Sequence, residues 1–518
     1  MSKSQGSRKK AAKLQPFGAA TDADNTTSQI VSDITSSAPC TREVPSYTVP
    51  PLSSICIKKF ANWFVRLRND DNVWKRMAQI LHLLPDHLVS KLFSLLQSTV
   101  PTYLRHEFIT AYFFRGSSIS LTDALTGVNR RTIIDIPRIN SSISELELSG
   151  FGSISDSDFS LAIHLLPKLQ VLVLRRCTQV GVQTTKEIVG QLDGLRVLNL
   201  NYTSVTPASL LKIVTRHKTL EVLKLAGLQN WTDAKMTSQF TSQISGEVML
   251  PNIHTLKLRH LPITDGPVTT LVGICNPDTL KRLDVSFTGL RSLTGCFLVR
   301  YGKLQGYPDD PDAYSLPIEK LNIGSTPLRD LQMAIPLFPH LRILSLSALR
   351  TSTTDTLTDE GLRRLTEVLE PLAHIEDINL AMNTKLCKDS AVQGSAMNYF
   401  LTRVGRRCKK LNFAGILSLR SSDLAGLVSE TGNPDDRPAI ETLVLTKTGV
   451  DDDSTAFLIC CQALKSLNVS GTKLTSSGLF LVLNACPDIV SLDVTSCRGV
   501  KVVDRRRFFE VWESQRQC

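Results

Sequence analysis

One pattern governs what this chain can fold into: an aliphatic residue, two of any type, an aliphatic residue, one of any type, then another apolar residue. It reads LQVLVL at Leu169, LRVLNL at Leu195, LEVLKL at Leu220, IHTLKL at Ile253, LKRLDV at Leu280, IEKLNI at Ile318, LRILSL at Leu341 and IEDINL at Ile375. Weaker or later copies are ISELEL at Ile143, CKKLNF at Cys408, IETLVL at Ile440, LKSLNV at Leu464 and IVSLDV at Ile489. The thirteen central residues are Leu146, Leu172, Leu198, Leu223, Leu256, Leu283, Leu321, Leu344, Ile378, Leu411, Leu443, Leu467 and Leu492. They are spaced 23 to 38 residues apart, and gaps of 24 to 27 are the commonest. Alternating apolar residues make a short strand with one buried face, and the stretch that follows supplies a helix to pack behind it. No unit of this size buries its own apolar face, so the units must stack into a solenoid with one continuous core.

Over residues 143 to 503 the chain resembles leucine-rich repeat proteins, and among them the cysteine-containing, ribonuclease-inhibitor-like subclass. The resemblance implies an α/β horseshoe of about thirteen repeats, with strands on one side and helices on the other. At the position where such repeats place Asn or Cys, this chain has Cys177, Thr203, Thr288, Thr326, Asn383, Thr448, Thr472 and Cys497. A small polar or thiol group there is suited to satisfying buried backbone groups at the turn. Two long gaps, AGLQNWTDAKMTSQFTSQISGEVMLPN and YGKLQGYPDDPDAYSLP, are expected to be loops, and DRRRFFEVWES a C-terminal capping helix. The expected domains are a disordered polar tail (1–45), a helical head (50–140), the solenoid (141–503) and a capping helix with its tail (504–518).

At 518 residues and 42% hydrophobic content, the chain has enough apolar material for a long core. The twelve cysteines are scattered, with no CxxC pair and no Cys/His cluster at zinc spacing. The N-terminal sequence MSKSQGSRKKAAKLQPFG lacks the apolar run of a signal peptide, so reduced thiols of a cytoplasmic or nuclear protein are expected. No segment approaches the roughly 20 apolar residues that a membrane span needs. The net charge of +11 is not evenly spread. Residues 1–49 hold 6 Lys/Arg and 4 Asp/Glu, residues 50–140 hold 12 and 6, and residues 141–518 hold 41 and 38. The near-balanced repeat region argues against direct nucleic-acid binding. There is no phosphate loop, HExxH, GxSxG elbow or dinucleotide fingerprint, so neither an enzyme nor a cofactor is expected. Cys460 and Cys461 read as buried helix positions.

Between Pro50 and Phe114 the pattern changes to amphipathic helices. In the first, Leu52, Cys56 and Phe60 fall at four-residue spacing and form one apolar seam. PLSSICIKKF resembles the elongin C-binding box of ubiquitin-ligase substrate receptors, matched by Pro51, Leu52 and Cys56, with Phe60 where the box usually has an aliphatic residue. Downstream, LPDHL resembles the cullin-binding box, matched by Leu84, Pro85 and Leu88. LLPDHLVSKLFSLL also resembles the opening of an F-box, which docks on a different cullin adaptor.

The residues flanking each central apolar residue point to the open face of the sheet. Lys224, Lys257, Arg259, Arg282 and Lys320 then form either a basic stripe for an acidic or phosphorylated target or a merely solvated face. Asn199, Asn322, Asn379, Asn412 and Asn468 recur at one strand position, as ladder or as contact residues. Together these resemblances imply a non-catalytic substrate receptor of a cullin-type ubiquitin ligase, with an adaptor, a cullin and an unidentified target protein as partners. A leucine-rich scaffold whose head is only a cap is one alternative. A nuclear DNA-repair accessory subunit, similar to an excision-repair subunit of yeast type, is another.

Overall fold

The structure, a computed structural model, describes the backbone of 41–43 and residues 51–240, 248–297, 315–349, 357–388, 394–428 and 436–505. Each copy of the repeat pattern forms a strand of three to five residues centred on its apolar residue. These are β3 (Glu145–Ser149), β4 (Val171–Val173), β5 (Val197–Asn199), β6 (Val222–Lys224), β7 (Thr255–Lys257), β8 (Arg282–Asp284) and β9 (Lys320–Asn322). They continue as β10 (Ile343–Ser345), β11 (Asp377–Asn379), β12 (Lys410–Asn412), β13 (Thr442–Val444), β14 (Ser466–Asn468) and β15 (Ser491–Asp493). The central residues stand side by side, Leu146 beside Leu172 beside Leu198 and so on to Leu492, in one parallel sheet. In nearly every strand the central residue is buried and its neighbours are half-buried or exposed, so one face meets the helices and the other meets solvent. The chain is an α/β leucine-rich repeat solenoid.

A further parallel strand, β2 (Ser118–Thr122), precedes the thirteen and sets Ile119 beside Leu146. It is followed by a helix, α5 (Arg130–Ile139), that packs beside the next repeat's helix, Asp156–His164. The repeat array thus begins within residues 50–140. At the other end, β1 (Thr41–Glu43) adds an antiparallel strand to β15, so these three residues do not belong to a structureless tail. Backbone pairing accounts for it: the outer edge of β15 offers unpaired N–H and C=O groups to any extended segment.

Four helices form the head: α1 (Leu52–Arg68), α2 (Asp71–Leu83), α3 (Asp86–Thr99) and α4 (His106–Tyr112). Phe64 lies at their centre, edge-on to Phe60, Trp74 and Phe108, and Phe93 stacks on Phe113. This cluster runs without a break into the solenoid core. Gln97 of α3 donates to the Ser120 carbonyl of β2 (2.8 Å), so the head covers the open N-terminal end of the sheet.

The turn after each strand is closed as its residue types demand. Hydroxyls of Thr203, Thr288, Thr326, Thr448 and Thr472 donate to the carbonyl three residues earlier at 2.6 to 2.8 Å. Asn383 donates to Leu346 and Leu380, while Cys177 and Cys497 donate to Leu148 and Val469 in the preceding repeats. The recurrent Asn residues are turn closers too. Asn199, Asn322, Asn379, Asn412 and Asn468 each accept from the backbone N–H two residues on, at 3.0 to 3.2 Å.

One expected loop is partly helical. Asp233–Phe240 forms a helix, and Trp231 just before it is fully buried, donating from Nε1 to the Val205 carbonyl. The Asp309, Asp310 and Asp312 loop lies outside the described residues, as does the chain beyond Arg505 where a capping helix is expected.

Candidate functional site

The first helix carries two apolar strips of different fate. Pro51 sits at the N-cap, and its carbonyl accepts from Ser54 and Ile55, which fixes where α1 starts. Ile57, Phe60, Ala61 and Phe64 turn inward and pack on the core. Leu52 is 76% exposed, Ile55 37% and Trp63 52%, and the Cys56 thiol is free and exposed. Phe60 therefore does not share the outer strip with Leu52 and Cys56. Each four-residue step turns about 40° around a helix of 3.6 residues per turn, so two steps rotate Phe60 well round from Leu52, toward Phe64.

The second box divides in the same way. Leu84 is half-buried against the core, Leu88 is half-buried, and Pro85 is exposed at the N-cap of α3. The outward apolar residues here are Leu83, 82% exposed, and Ile80, 50% exposed. Motif matching missed these two, together with Ile55 and Trp63; their helical spacing was the available signal. The bend between α2 and α3 is held by Arg115, which donates to the Leu81 and His82 carbonyls at 2.6 Å.

On the open face, the register sets Lys224 opposite Lys257 and Arg282 opposite Lys320. Arg282 and Lys320 are exposed, while Lys224, Lys257 and Arg259 are half-buried. The two rims of the sheet differ sharply. Along the N-terminal ends of the strands, the residue before the strand alternates in charge from β8 to β14, and Arg196 and Glu221 form a similar pair before β5 and β6. Arg196 bonds Glu221 (2.7 Å), Lys281 bonds Glu319 (3.0 Å), Arg342 and Lys409 flank Glu376 (3.0 and 3.5 Å) and Lys465 bonds Glu441 (3.1 Å). The Arg196 hydrogen bond holds Glu221 below the usual carboxylate range, and Lys281 does the same for Glu319. At Glu376, burial works against ionisation, but Arg342 and Lys409 outweigh it and lower the value.

Along the C-terminal ends, the fourth residue after each central one from Leu146 on is left-handed. Arg176, Tyr202, His260, Phe287, Ser325, Ala348, Met382, Lys447 and Ser496 all have φ between 49° and 63°, and glycines complete the row. The His260 and Phe287 rings stack at 4.1 Å with 14° between planes, and the Arg259 guanidinium lies 5.1 Å from the Phe287 centroid.

The ten cysteines described are free thiols, and burial raises Cys177 and Cys486 to about 11 and pushes Cys461 up further, away from thiolate chemistry. Cys460 is half-buried beside it. His106 meets Thr132 Oγ1 at 3.1 Å and Asp135 at 3.6 Å, and the trio ties α4 to α5. Among the described residues there is no group of three metal-ligating side chains, and no helix is long and apolar enough to cross a membrane.

These features define a leucine-rich repeat solenoid with a helical head that exposes an apolar strip. No protein-family model matches the chain, and no curated protein does. Among solved structures, a Rad7 and Elc1 complex in yeast matches at a TM-score of 0.46 and 14% identity, covering 88% of this chain and 95% of the matched one. An internalin (inlF) from Listeria monocytogenes matches at 0.39 and 13%, covering 70% and 89%. The leucine-rich repeat domain of APL1 matches at 0.32 and 11%, covering 77% and 75%. The fold stands on the sheet register, and these distant likenesses add nothing about activity.

Proposed function

We propose that the protein is a non-catalytic substrate receptor of a cullin-type ubiquitin ligase, in which the head docks an adaptor of the elongin C kind and the repeat sheet holds a target protein. The observation that carries this reading is the outer strip of α1. Leu52, Ile55, Cys56 and Trp63 face solvent on a helix whose inner side already fills the head core. An apolar strip beyond what the fold needs is the usual form of a helix-in-groove anchor. Burying Leu52 in a groove contributes roughly 2 kcal/mol. Leu83 and Ile80, beside the bend at Pro85, give the cullin its apolar contact, with Leu84 and Leu88 setting the bend from within. Capping and docking are compatible, since Gln97 works from α3 and the outer strip lies on α1. The proposal implies an intracellular location.

A pulldown with purified elongin C tests it, comparing wild type with Leu52→Ala plus Cys56→Ala. Both substitutions are at exposed positions, so an unchanged melting temperature is expected beside a loss of recovery. Equal recovery sinks the elongin reading. Capture by an F-box-type adaptor instead would move the proposal to that adaptor, and capture by neither would leave a leucine-rich scaffold with a capping head.

A further inference from the structure

We infer that the docking strip of α1 runs past Leu52 and Cys56 to Lys59, Trp63 and Arg66, and that the adaptor groove receiving it carries carboxylates where it meets those two cations. The inference rests on the reading of α1 as the adaptor anchor, and it names the chemistry of the partner's surface.

The composition of the helix is the first observation. α1 holds Lys58, Lys59, Arg66 and Arg68 and no Asp or Glu. Arg68 is committed to the fold, being half-buried with its guanidinium 5.8 and 5.1 Å from the Trp74 and Phe108 ring centroids. Lys59 and Arg66 are exposed, and among the described residues no carboxylate pairs with either. By contrast, the exposed Arg130, Arg196 and Arg342 of the repeats meet Asp158, Glu221 and Glu376 at 2.6, 2.7 and 3.0 Å.

Placement on the helix is the second observation. At 3.6 residues per turn, Lys59, Trp63 and Arg66 fall within about 40° of Leu52 around the axis, so cations and apolar anchors share one strip roughly 21 Å long. Its first turns expose Leu52, Ile55 and Cys56, and its later turns expose Lys59, Trp63 and Arg66. Trp63 is 52% exposed and takes no part in the head core, and the Arg66 guanidinium lies 5.2 Å from its ring centroid. Trp and Arg together are the composition of an interface hot spot. A groove that covered this strip without acidic groups would strand two desolvated cations, at a cost that outweighs the apolar gain. Carboxylates in the groove remove that cost and steer the approach of the two chains. An anionic membrane is the less suitable occupant. A helix lying in a bilayer surface keeps its cations on the polar face, whereas Lys59 and Arg66 stand in the middle of the apolar strip and would be carried toward the acyl chains.

The test measures association and dissociation of the full chain on immobilised, purified elongin C at low and high salt. Wild-type association is expected to slow by about tenfold as salt is raised. The double variant Lys59→Glu plus Arg66→Glu should associate about tenfold or more slowly at low salt and lose that salt dependence. Trp63→Ala should dissociate about tenfold faster and keep it. All three positions are exposed, so wild-type melting temperatures are expected for both variants. Salt-independent association of the wild type, or wild-type kinetics in either variant, overturns the inference and leaves the adaptor reading standing. A wild type that does not bind elongin C overturns both. Its capture by phosphatidylserine vesicles, with no capture of Lys59→Glu plus Arg66→Glu, would then give the strip to a membrane. Leu52→Ala plus Cys56→Ala separates the two proposals from the other side, because it should lose binding at every salt concentration.

Discussion

The two rims of the repeat sheet are built from the same repeat and solve different problems. At the N-terminal ends of the strands, long charged side chains alternate in sign and bond across from repeat to repeat. At the C-terminal ends, short polar groups close each turn onto its own backbone, and the left-handed residue just before the closing Thr varies in size. A left-handed conformation costs a side-chain-bearing residue about 1–2 kcal/mol. Nine residues here accept it because the turn is fixed from both sides, by the closing hydrogen bonds and by the backbone of the next repeat. The difference teaches that one rim is held by side chains of opposite charge paired from repeat to repeat, whereas the other is held by hydrogen bonds to its own backbone.

The largest way to break this contrast is to remove a turn closer. Asn383 is 3% exposed, donates to the Leu346 and Leu380 carbonyls and accepts from the Leu349 N–H. Asn383→Ala leaves three buried backbone groups unpaired and should destabilise by roughly 3 kcal/mol, since each costs about 1–3 kcal/mol. Urea unfolding measures it. A loss no greater than that of a ladder carboxylate would mean that the C-terminal rim is not the one that holds the repeats in shape.

An intermediate effect is expected at Gly227. Its φ is 68°, and a Cβ there would come within 2.2 Å of the Tyr202 ring, which lies across the turn from the repeat before. Gly227→Ala should cost about 1–2 kcal/mol for the backbone alone, with the ring clash added. In the double variant Gly227→Ala plus Tyr202→Ala the clash is gone and part of the stability returns. Strict additivity in that cycle would mean that the Tyr202 ring does not press on position 227.

How far this architecture could be read beforehand depended on whether a repeat position carries one chemistry. All thirteen central residues lie on strands, because each must be apolar to reach the core. The turn closers were legible for the same reason, as Thr, Asn or Cys. Ile119 escaped because the leading aliphatic of its unit is replaced by Gly116, where a Cβ would come within 3.3 Å of the Asp86 Cβ. There the head presses on the first repeat and overrides the pattern. The left-handed row was invisible, since Arg176, Phe287, Met382 and Ser325 share a backbone shape and no side-chain property. In the head, the spacing of Leu52 and Cys56 was legible, but which side of α1 meets the core depends on how four helices meet.

The smallest effect distinguishes the paired N-terminal rim from the open face by pH. Glu221, Glu319 and Glu376 have folded values below the ordinary carboxylate range, so their contribution is present above that range and is lost as pH falls through the lowered values. Asp377, on the open face, runs the other way. Burial raises it, and Lys410 and Lys320 oppose that only in part. Its folded form holds a proton more tightly than the unfolded chain does, so stability is lost as pH rises through its raised value. Thermal melts from pH 3 to 8 should therefore separate two variants. The triple change of Glu221, Glu319 and Glu376 to Gln lowers the melting temperature at pH 7 and converges on wild type in acid, with a modest amplitude because the pairs are solvent-exposed. Asp377→Asn matches wild type in acid and equals or exceeds it at pH 7. Curves parallel to wild type for both would mean that neither the paired rim nor Asp377 couples its charge to folding.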